Sequence, residues 1–372
     1  MKLALVHEWL TNLAGSERVI LAMHDLWPTA PVYTSLYRPD ALPAEYGPDR
    51  WDVRTSFLQR WPGATRRWRL LLPLMPAAFE GFDLSEYDVV LSSSHACAKG
   101  VLTRADTCHI CYCYTPIRYL WEMPHQYLAE AGGLRRRLLR GTLARLRQWD
   151  YCAAQRVDRF VAISETVRRR VAKHYRRDAV VIHPPVDTTR FAPSAERGDD
   201  YLVVSRMVGY KRVDLAVAAC TQTGRRLNVV GVGPEMDHLR RVAGPTVSFL
   251  GELSDAAVSA LYGRARGLLF CGEEDFGLTP VEAQAAGCPV LAYGRGGALE
   301  TVVDGETGVH FAEPTVESLV AGLQRFELLT FRPERCVDSA RRFDVGVFRG
   351  KLAAFVEQAA AEHREHLLRE AR

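Results

Sequence analysis

Two glutamates flank a turn in Gly272-Glu-Glu-Asp-Phe-Gly-Leu-Thr-Pro-Val-Glu-Ala-Gln-Ala-Ala-Gly287: Glu274 before Phe276-Gly277-Leu278 and Glu282 after it. Carboxylates so placed either serve a ligand held against the turn or start and solvate a helix. Thr279-Pro280 predicts that start. Thr279 with Glu282 three residues on matches the S/T-x-x-E capping box, and proline suits the first helical position. Glu282 thus has a structural explanation; Glu274, ahead of the turn, has none. Gly277 frees the backbone for close approach to a ligand. The helix N-terminus beyond it offers unpaired N–H groups and partial positive charge, which suit phosphate oxygens.

Two cations complement that turn. Ser205-Arg-Met-Val-Gly-Tyr-Lys-Arg212 follows a predicted strand, which puts Arg206 and Lys211 at the strand's carboxyl end. There they suit a diphosphate, arginine as a fork and lysine as a point charge, or they are exposed cations at a βα turn. Gly231 and Gly233 in Val230-Gly-Val-Gly-Pro234 form a further strand-to-turn glycine pair. On their own they are better explained by a tight turn than by a ligand contact, and the pattern lacks the third glycine of a dinucleotide fingerprint.

The elements that must position these residues alternate as short apolar runs and helical stretches. Strands are predicted at 2–7, 88–92, 109–113 and 159–163, and again at 201–205, 227–231, 247–250, 267–270, 289–292 and 308–311. Helices are predicted at 17–24, 214–220, 255–265 and 281–286. The prolines of Val180-Val-Ile-His-Pro-Pro-Val-Asp187 and the polar run 194–200 interrupt the series. Two βαβ series either side of a hinge predict an α/β protein of two facing, Rossmann-like, doubly wound domains with ligands in the cleft between them. The expected boundaries are 1–187, 200–342 and a helical segment 343–372.

At 372 residues the chain exceeds what one core usually supports. No charged-then-apolar leader opens it, and its most apolar run, 70–79, is too short to span a bilayer, so it is expected in the cytosol. Nine cysteines there read as free thiols. Cys108, Cys111 and Cys113 cluster, but without a second pair at zinc-ribbon spacing they read as buried strand residues, and no metal is expected. Net charge is +4, yet the basic residues are concentrated. Arg54, Arg60, Arg66, Arg67 and Arg69 interleave with Trp61 and Trp68, while Arg135, Arg136, Arg137, Arg140, Arg145 and Arg147 form a second run. They are solvated helix faces or contacts to an anionic membrane surface; nucleic acid is disfavoured because no groove-reading or stacking motif accompanies them.

Taken together, Ser205-Arg206…Lys211, Val230-Gly-Val-Gly-Pro-Glu235, Phe249-Leu-Gly-Glu-Leu-Ser254, Glu274-x7-Glu282 around Phe276-Gly277-Leu278, Pro289-Val-Leu-Ala and Gly296-Gly297…Gly308 resemble the retaining family 4 glycosyltransferases of GT-B fold. Ser94-His-Ala-Cys-Ala-Lys-Gly100, Tyr114-Thr-Pro-Ile-Arg-Tyr119 and His183-Pro-Pro-Val-Asp187 extend the resemblance across nearly the whole chain. The first half looks most like mannosyltransferases of bacterial O-antigen or exopolysaccharide synthesis. The resemblance implies a nucleotide-sugar donor, GDP-mannose, and a lipid-linked glycan acceptor; the two basic stretches add the expectation of peripheral attachment to the inner face of the plasma membrane. It gives Arg206 and Lys211 the donor diphosphate, Glu274 the sugar hydroxyls, Glu282 the ribose, and the backbone of Phe276, Gly277, Leu278 and Thr279 the sugar and phosphate. Phe249, Gly251 and Glu252 would frame the base, and Gly15 would face the diphosphate or the acceptor.

Two departures stand out. The family's Gly-Gly is Ala14-Gly15, and Tyr114 replaces the usual histidine beside the donor sugar. Tyrosine can hydrogen-bond a hydroxyl but cannot carry positive charge near neutral pH. No Asp-x-Asp metal motif occurs, which leaves Arg206, Lys211 and the helix start to stabilise the departing diphosphate. Retention, as the resemblance implies, has the acceptor attack the face that the leaving group departs from. A GT-B sugar-nucleotide epimerase and a non-catalytic binding subunit remain alternatives, the latter on the strength of Tyr114.

Overall fold

The computed structural model describes residues 1–44, 47, 51–129 and 132–370. The chain divides into two compact units, Met1–His183 with Phe348–Arg372, and Pro184–Val347.

Unit 1 holds seven strands: β1 (Leu3–His7), β2 (Val32–Thr34), β3 (Val53–Thr55), β4 (Val89–Ser94), β5 (Cys108–Cys113), β6 (Arg159–Ala162) and β7 (Ala179–Val181). They form one parallel sheet in the order β3-β2-β1-β4-β5-β6-β7. Every residue of β1, β4 and β5 is buried, as expected of central strands covered on both faces, and this is why they read as unbroken apolar or small-residue runs. The edge strands β3 and β7 and the buried β2 between β3 and β1 have three residues each, too few to give a periodic signal, and they went unpredicted. A helix, Val345–Glu370, carries the chain from unit 2 back onto unit 1. Phe348 packs edge-on against Tyr112 of β5 (5.7 Å), and Glu362 pairs with Arg159 of β6 (3.3 Å).

Unit 2 holds β8 (Tyr201–Val204), β9 (Leu227–Val230), β10 (Val247–Gly251), β11 (Gly267–Phe270), β12 (Val290–Tyr293) and β13 (Gly308–Phe311), parallel in the order β10-β9-β8-β11-β12-β13. Alternate residues feed two cores. Val203, Val229, Leu269, Leu291 and Val309 face one layer of helices, and Leu202, Val230, Leu268, Val290 and Ala292 face the other. The order 3-2-1-4-5-6 within each unit is that of the doubly wound Rossmann sheet. It places a topological switch point between β1 and β4 in unit 1, and between β8 and β11 in unit 2.

Candidate functional site

The loops after β8 and β11 leave neighbouring strands at the unit 2 switch point, and the sequence's main candidates sit on them. Lys211 closes a short turn, Gly209–Lys211, after β8; Glu274 follows β11. The Lys211 ammonium pairs with Glu274 Oε1 at 2.5 Å, the two side chains being 17% and 20% exposed. Lys211 also lies over the Tyr210 ring, 5.4 Å from its centroid, and the Tyr210 hydroxyl accepts from Arg206 at 3.4 Å. Arg206 itself is exposed. Two cations and a carboxylate thus stand together at the carboxyl ends of the central strands. An ammonium with one donor in an ion pair keeps two more for phosphate oxygens, and a carboxylate keeps acceptor positions for hydroxyls.

The helix after this loop corrects one expectation. It spans Leu278–Ala285, and its N-cap is Gly277, at φ 86° in the left-handed region. Thr279 is therefore inside the helix and no Thr279–Glu282 capping box forms. The left-handed glycine turns the chain into the helix before the threonine is reached. Pro280 remains in the first turn, where its missing N–H costs nothing. Glu282 instead accepts a hydrogen bond from the buried Tyr262 hydroxyl at 3.2 Å, and burial together with this carboxylate holds the phenol well above its usual range. The Phe276 ring is buried against Phe343 (5.3 Å), so this residue has only its backbone to offer a ligand; Leu278 and Thr279 are half-buried.

Gly231 is explained by packing. Its φ is 118°, and a Cβ there would collide with the Ser205 carbonyl; Gly233 lies equally close to the Met207 backbone. The pair lets the β9 loop lie directly against the Arg206-bearing loop. Phe249 is half-buried with Arg240 over its ring (5.9 Å), and Gly251, at φ 70°, accepts the Gly231 N–H at 2.7 Å.

In unit 1 the switch point carries a polar network that the sequence only partly disclosed. Gly15 opens the helix Gly15–His24 after β1, and the Glu17 carboxylate accepts the Ala14 N–H and the Ser16 hydroxyl, both at 3.1 Å. Tyr114, just past β5, donates to the Ser16 carbonyl (3.1 Å), tying strand end to helix start. With its one proton so used, its oxygen accepts from Ser93 (2.9 Å), and Ser93 in turn accepts from His7 Nδ1 (3.1 Å). Burial, with His95 nearby, lowers His7 to about 3, so its imidazole is neutral. Burial likewise holds the Tyr114 phenol well above its usual range, so it remains a neutral hydroxyl.

Glu8 was missed altogether. Its buried carboxylate accepts the backbone N–H groups of His95, Ala96, Cys97 and Ala98 and the Ser94 hydroxyl, at 2.7–3.1 Å. Lys99, equally buried, pairs with Asp150, which also accepts from Trp121 Nε1 (2.7 Å) and the Tyr175 hydroxyl (2.8 Å). The stretch Ser94–Gly100 is thus held from both sides by buried charges. Only a glutamate immediately after an apolar strand, Leu3–His7, could have signalled this.

The basic stretches separate into fixed and exposed residues. Arg54 is bound to Asp52 (2.9 Å) and to the Tyr33 and Tyr87 hydroxyls, Arg147 donates to the Leu120 carbonyl, and Trp68 stacks on Trp9 at 4.3 Å. Arg60, Arg66, Arg67, Arg136, Arg137, Arg140 and Arg145 are exposed, as are Phe57, Trp61, Leu70 and Leu74; the side chains of Arg69 and Arg135 lie outside those described. Among the described residues no helix is long and apolar enough to cross a membrane.

Comparison with known proteins agrees with this architecture. The family "Glycosyl transferases group 1" matches residues 187–343 and "Glycosyltransferase Family 4" matches residues 13–190. The chain belongs to the family 4 glycosyltransferases. A GDP-mannose-dependent alpha-(1-6)-phosphatidylinositol monomannoside mannosyltransferase of Mycolicibacterium smegmatis is 34% identical over 179 residues, 39% of this chain and 47% of that protein. Glycogen synthase 1 of Bradyrhizobium diazoefficiens is 30% identical over 171 residues, 42% and 36% of the two chains. The chain thus spans less than half the length of these relatives. Among solved structures, the lipopolysaccharide outer core galactosyltransferase WaaB superposes with TM-score 0.65 at 15% identity over 98% of this chain and 100% of its own. Anabaena HepE in complex with UDP and glucose gives TM-score 0.69 at 17% identity over 96% and 99%. Both likenesses are of fold, which is GT-B.

Proposed function

We propose that the protein is a retaining hexosyltransferase that moves mannose from GDP-mannose onto a lipid-linked glycan in bacterial surface polysaccharide synthesis. One observation carries this reading: Lys211 and Glu274 paired beside Arg206 at the switch point of unit 2, next to the first turn of the helix Leu278–Ala285. Arg206 and Lys211 take the diphosphate and stabilise the charge that develops on it as the sugar–phosphate bond breaks. Glu274 orients the sugar through its hydroxyls, Glu282 holds the ribose while bracing Tyr262, and residues Phe249 to Glu252 frame the base. Unit 1, with Gly15 and Tyr114, serves the acceptor side, and the neutral Tyr114 hydroxyl, its proton given to Ser16, can offer a ligand only an acceptor oxygen. The mannosyltransferase among the relatives supports mannose, and the exposed arginines with Trp61 and Leu70 support a seat on the inner leaflet.

The glycogen synthases among the relatives make glucosyl transfer the second reading. The purified protein, incubated in EDTA with GDP-mannose, UDP-glucose or ADP-glucose, is expected to release mannose slowly from GDP-mannose alone. Release of glucose instead selects the second reading, and conversion of a donor to its isomer without transfer or hydrolysis selects an epimerase.

A further inference from the structure

The cluster Cys108, Cys111 and Cys113 reads from spacing alone as strand thiols, and the pleat explains why it cannot chelate as a unit. Cys108 lies an odd number of residues from the other two, so its sulfur leaves the opposite face of β5. On that face its neighbours are Asp158, at the turn into β6, and His363, on the helix Val345–Glu370, 50 and 255 residues further along the chain. One ligand atom from each, the Cys108 Sγ, an Asp158 carboxylate oxygen and a His363 ring nitrogen, lie within 4.8 Å of one another. A tetrahedral zinc ion with bonds of about 2.0–2.3 Å holds its ligand atoms roughly 3.3–3.7 Å apart, so closing the set requires about 1 Å of adjustment. His363, half-buried on a helix face, can supply it.

Both movable ligands are held from behind. The His363 Nε2–H donates to the Ala105 carbonyl at 3.1 Å, which fixes the ring beside Cys108 and Asp158. The Asp158 Oδ2 accepts the His109 backbone N–H at 2.7 Å. A backbone carbonyl behind an imidazole and a hydrogen bond onto a carboxylate are the supports that orient metal ligands. Glu362, a further carboxylate close enough to act on Cys108, is committed to Arg159 and Gln358 (3.3 and 2.8 Å), which leaves a fourth position for water.

We propose that Cys108, Asp158 and His363 bind one divalent cation of the zinc class, fastening the helix Val345–Glu370 to the unit 1 sheet. One sulfur, one nitrogen and one oxygen donor select such a borderline ion over calcium or magnesium, which take oxygen ligands. Cys108 opens β5 whereas Tyr114 follows its far end, so the ion sits at the opposite end of the strand from the proposed acceptor-side residue and takes no part in transfer.

Full-length protein, stripped with chelator and dialysed, is titrated with Zn²⁺ against a chromophoric competitor, and with Co²⁺ by absorption spectroscopy. One equivalent of Zn²⁺ is expected, with a thiolate-to-cobalt charge-transfer band. His363→Gln and Cys108→Ser should each weaken zinc binding at least tenfold, the latter also abolishing the band, while Cys152→Ser, at an exposed thiol, changes neither. Zinc should raise the Tm of the wild type and not of His363→Gln, whose half-exposed position keeps that variant folded. Absence of stoichiometric binding, or unchanged affinity in His363→Gln, overturns the site.

Discussion

At the scale of single residues, Glu274 and Glu282 have different partners, and their partners make them separable. Glu274 pairs with Lys211, whereas Glu282 accepts from Tyr262 on the preceding helix, Asp255–Arg264. Glu282→Gln keeps an oxygen for the Tyr262 hydroxyl, so the fold should survive. Donor affinity should nevertheless fall by about 1.5–3 kcal/mol through loss of a charged acceptor for ribose. If Glu274 holds the sugar, as proposed, Glu274→Gln should spare nucleoside diphosphate binding and lower turnover steeply, the lost contact being one that tightens in the transition state. Calorimetric titration of GDP with both variants, alongside transfer rates, measures the split. Wild-type transfer by both would mean that the pair is structural. Lys211→Ala is a poorer probe, since it also leaves Glu274 without its cation.

At the scale of elements, the segment 57–74 shows how a charge pattern sorts once it is folded. Arg54 and Trp68, which counted toward the same basic and aromatic run, are consumed by internal contacts. What remains outside is Phe57, Trp61, Leu70 and Leu74 with Arg60, Arg66 and Arg67, apolar side chains and cations on one short stretch. Each arginine near an anionic surface is worth about 1 kcal/mol. Replacing Arg60, Arg66 and Arg67 together by alanine should therefore weaken binding to anionic liposomes by about 100-fold at low salt. Sedimentation with anionic and neutral vesicles across a salt series checks this, and equal binding to both vesicle types would exclude the surface.

At the scale of the whole molecule, stability should depend on pH through two buried histidines of the unit 1 sheet. His7 and His109 are both lowered to about 3, by burial first, with His95 and Arg156 respectively adding repulsion. In the unfolded chain each protonates near 6.5, so below that pH the unfolded state binds more protons. Their contribution is fully present above pH 6.5 and is lost as pH falls toward 3, at about 1.4 kcal/mol per pH unit for each. The lowered carboxylates act at lower pH, whereas Glu17, raised by burial, acts in the opposite sense to the histidines. Urea unfolding should show that slope. His7→Asn and His109→Gln, which keep a polar partner for Ser93 and Ser92, should each reduce it, and His24, also lowered by burial, supplies a further part of the slope. A flat profile in the wild type would show that the histidines are solvated.

Sequence by itself determined the two α/β units, the central strands, and which loops gather at the strands' carboxyl ends. Continuous apolar runs and the residues just after them are local signals, and parallel sheets bury exactly those runs. Arg206, Lys211 and Glu274 were legible because each follows such a strand. Tertiary structure alone decided who meets whom. Lys211 reaches Glu274 because β8 and β11 are neighbours across the switch point, although 63 residues separate the pair. Glu8 was invisible because its partners, the amides of 95–98, are backbone groups that any sequence supplies. Thr279 misled because a left-handed glycine, whose φ no local pattern fixes, started the helix earlier. Contacts made across a sheet depend on strand order, and strand order is set by the packing of the whole domain.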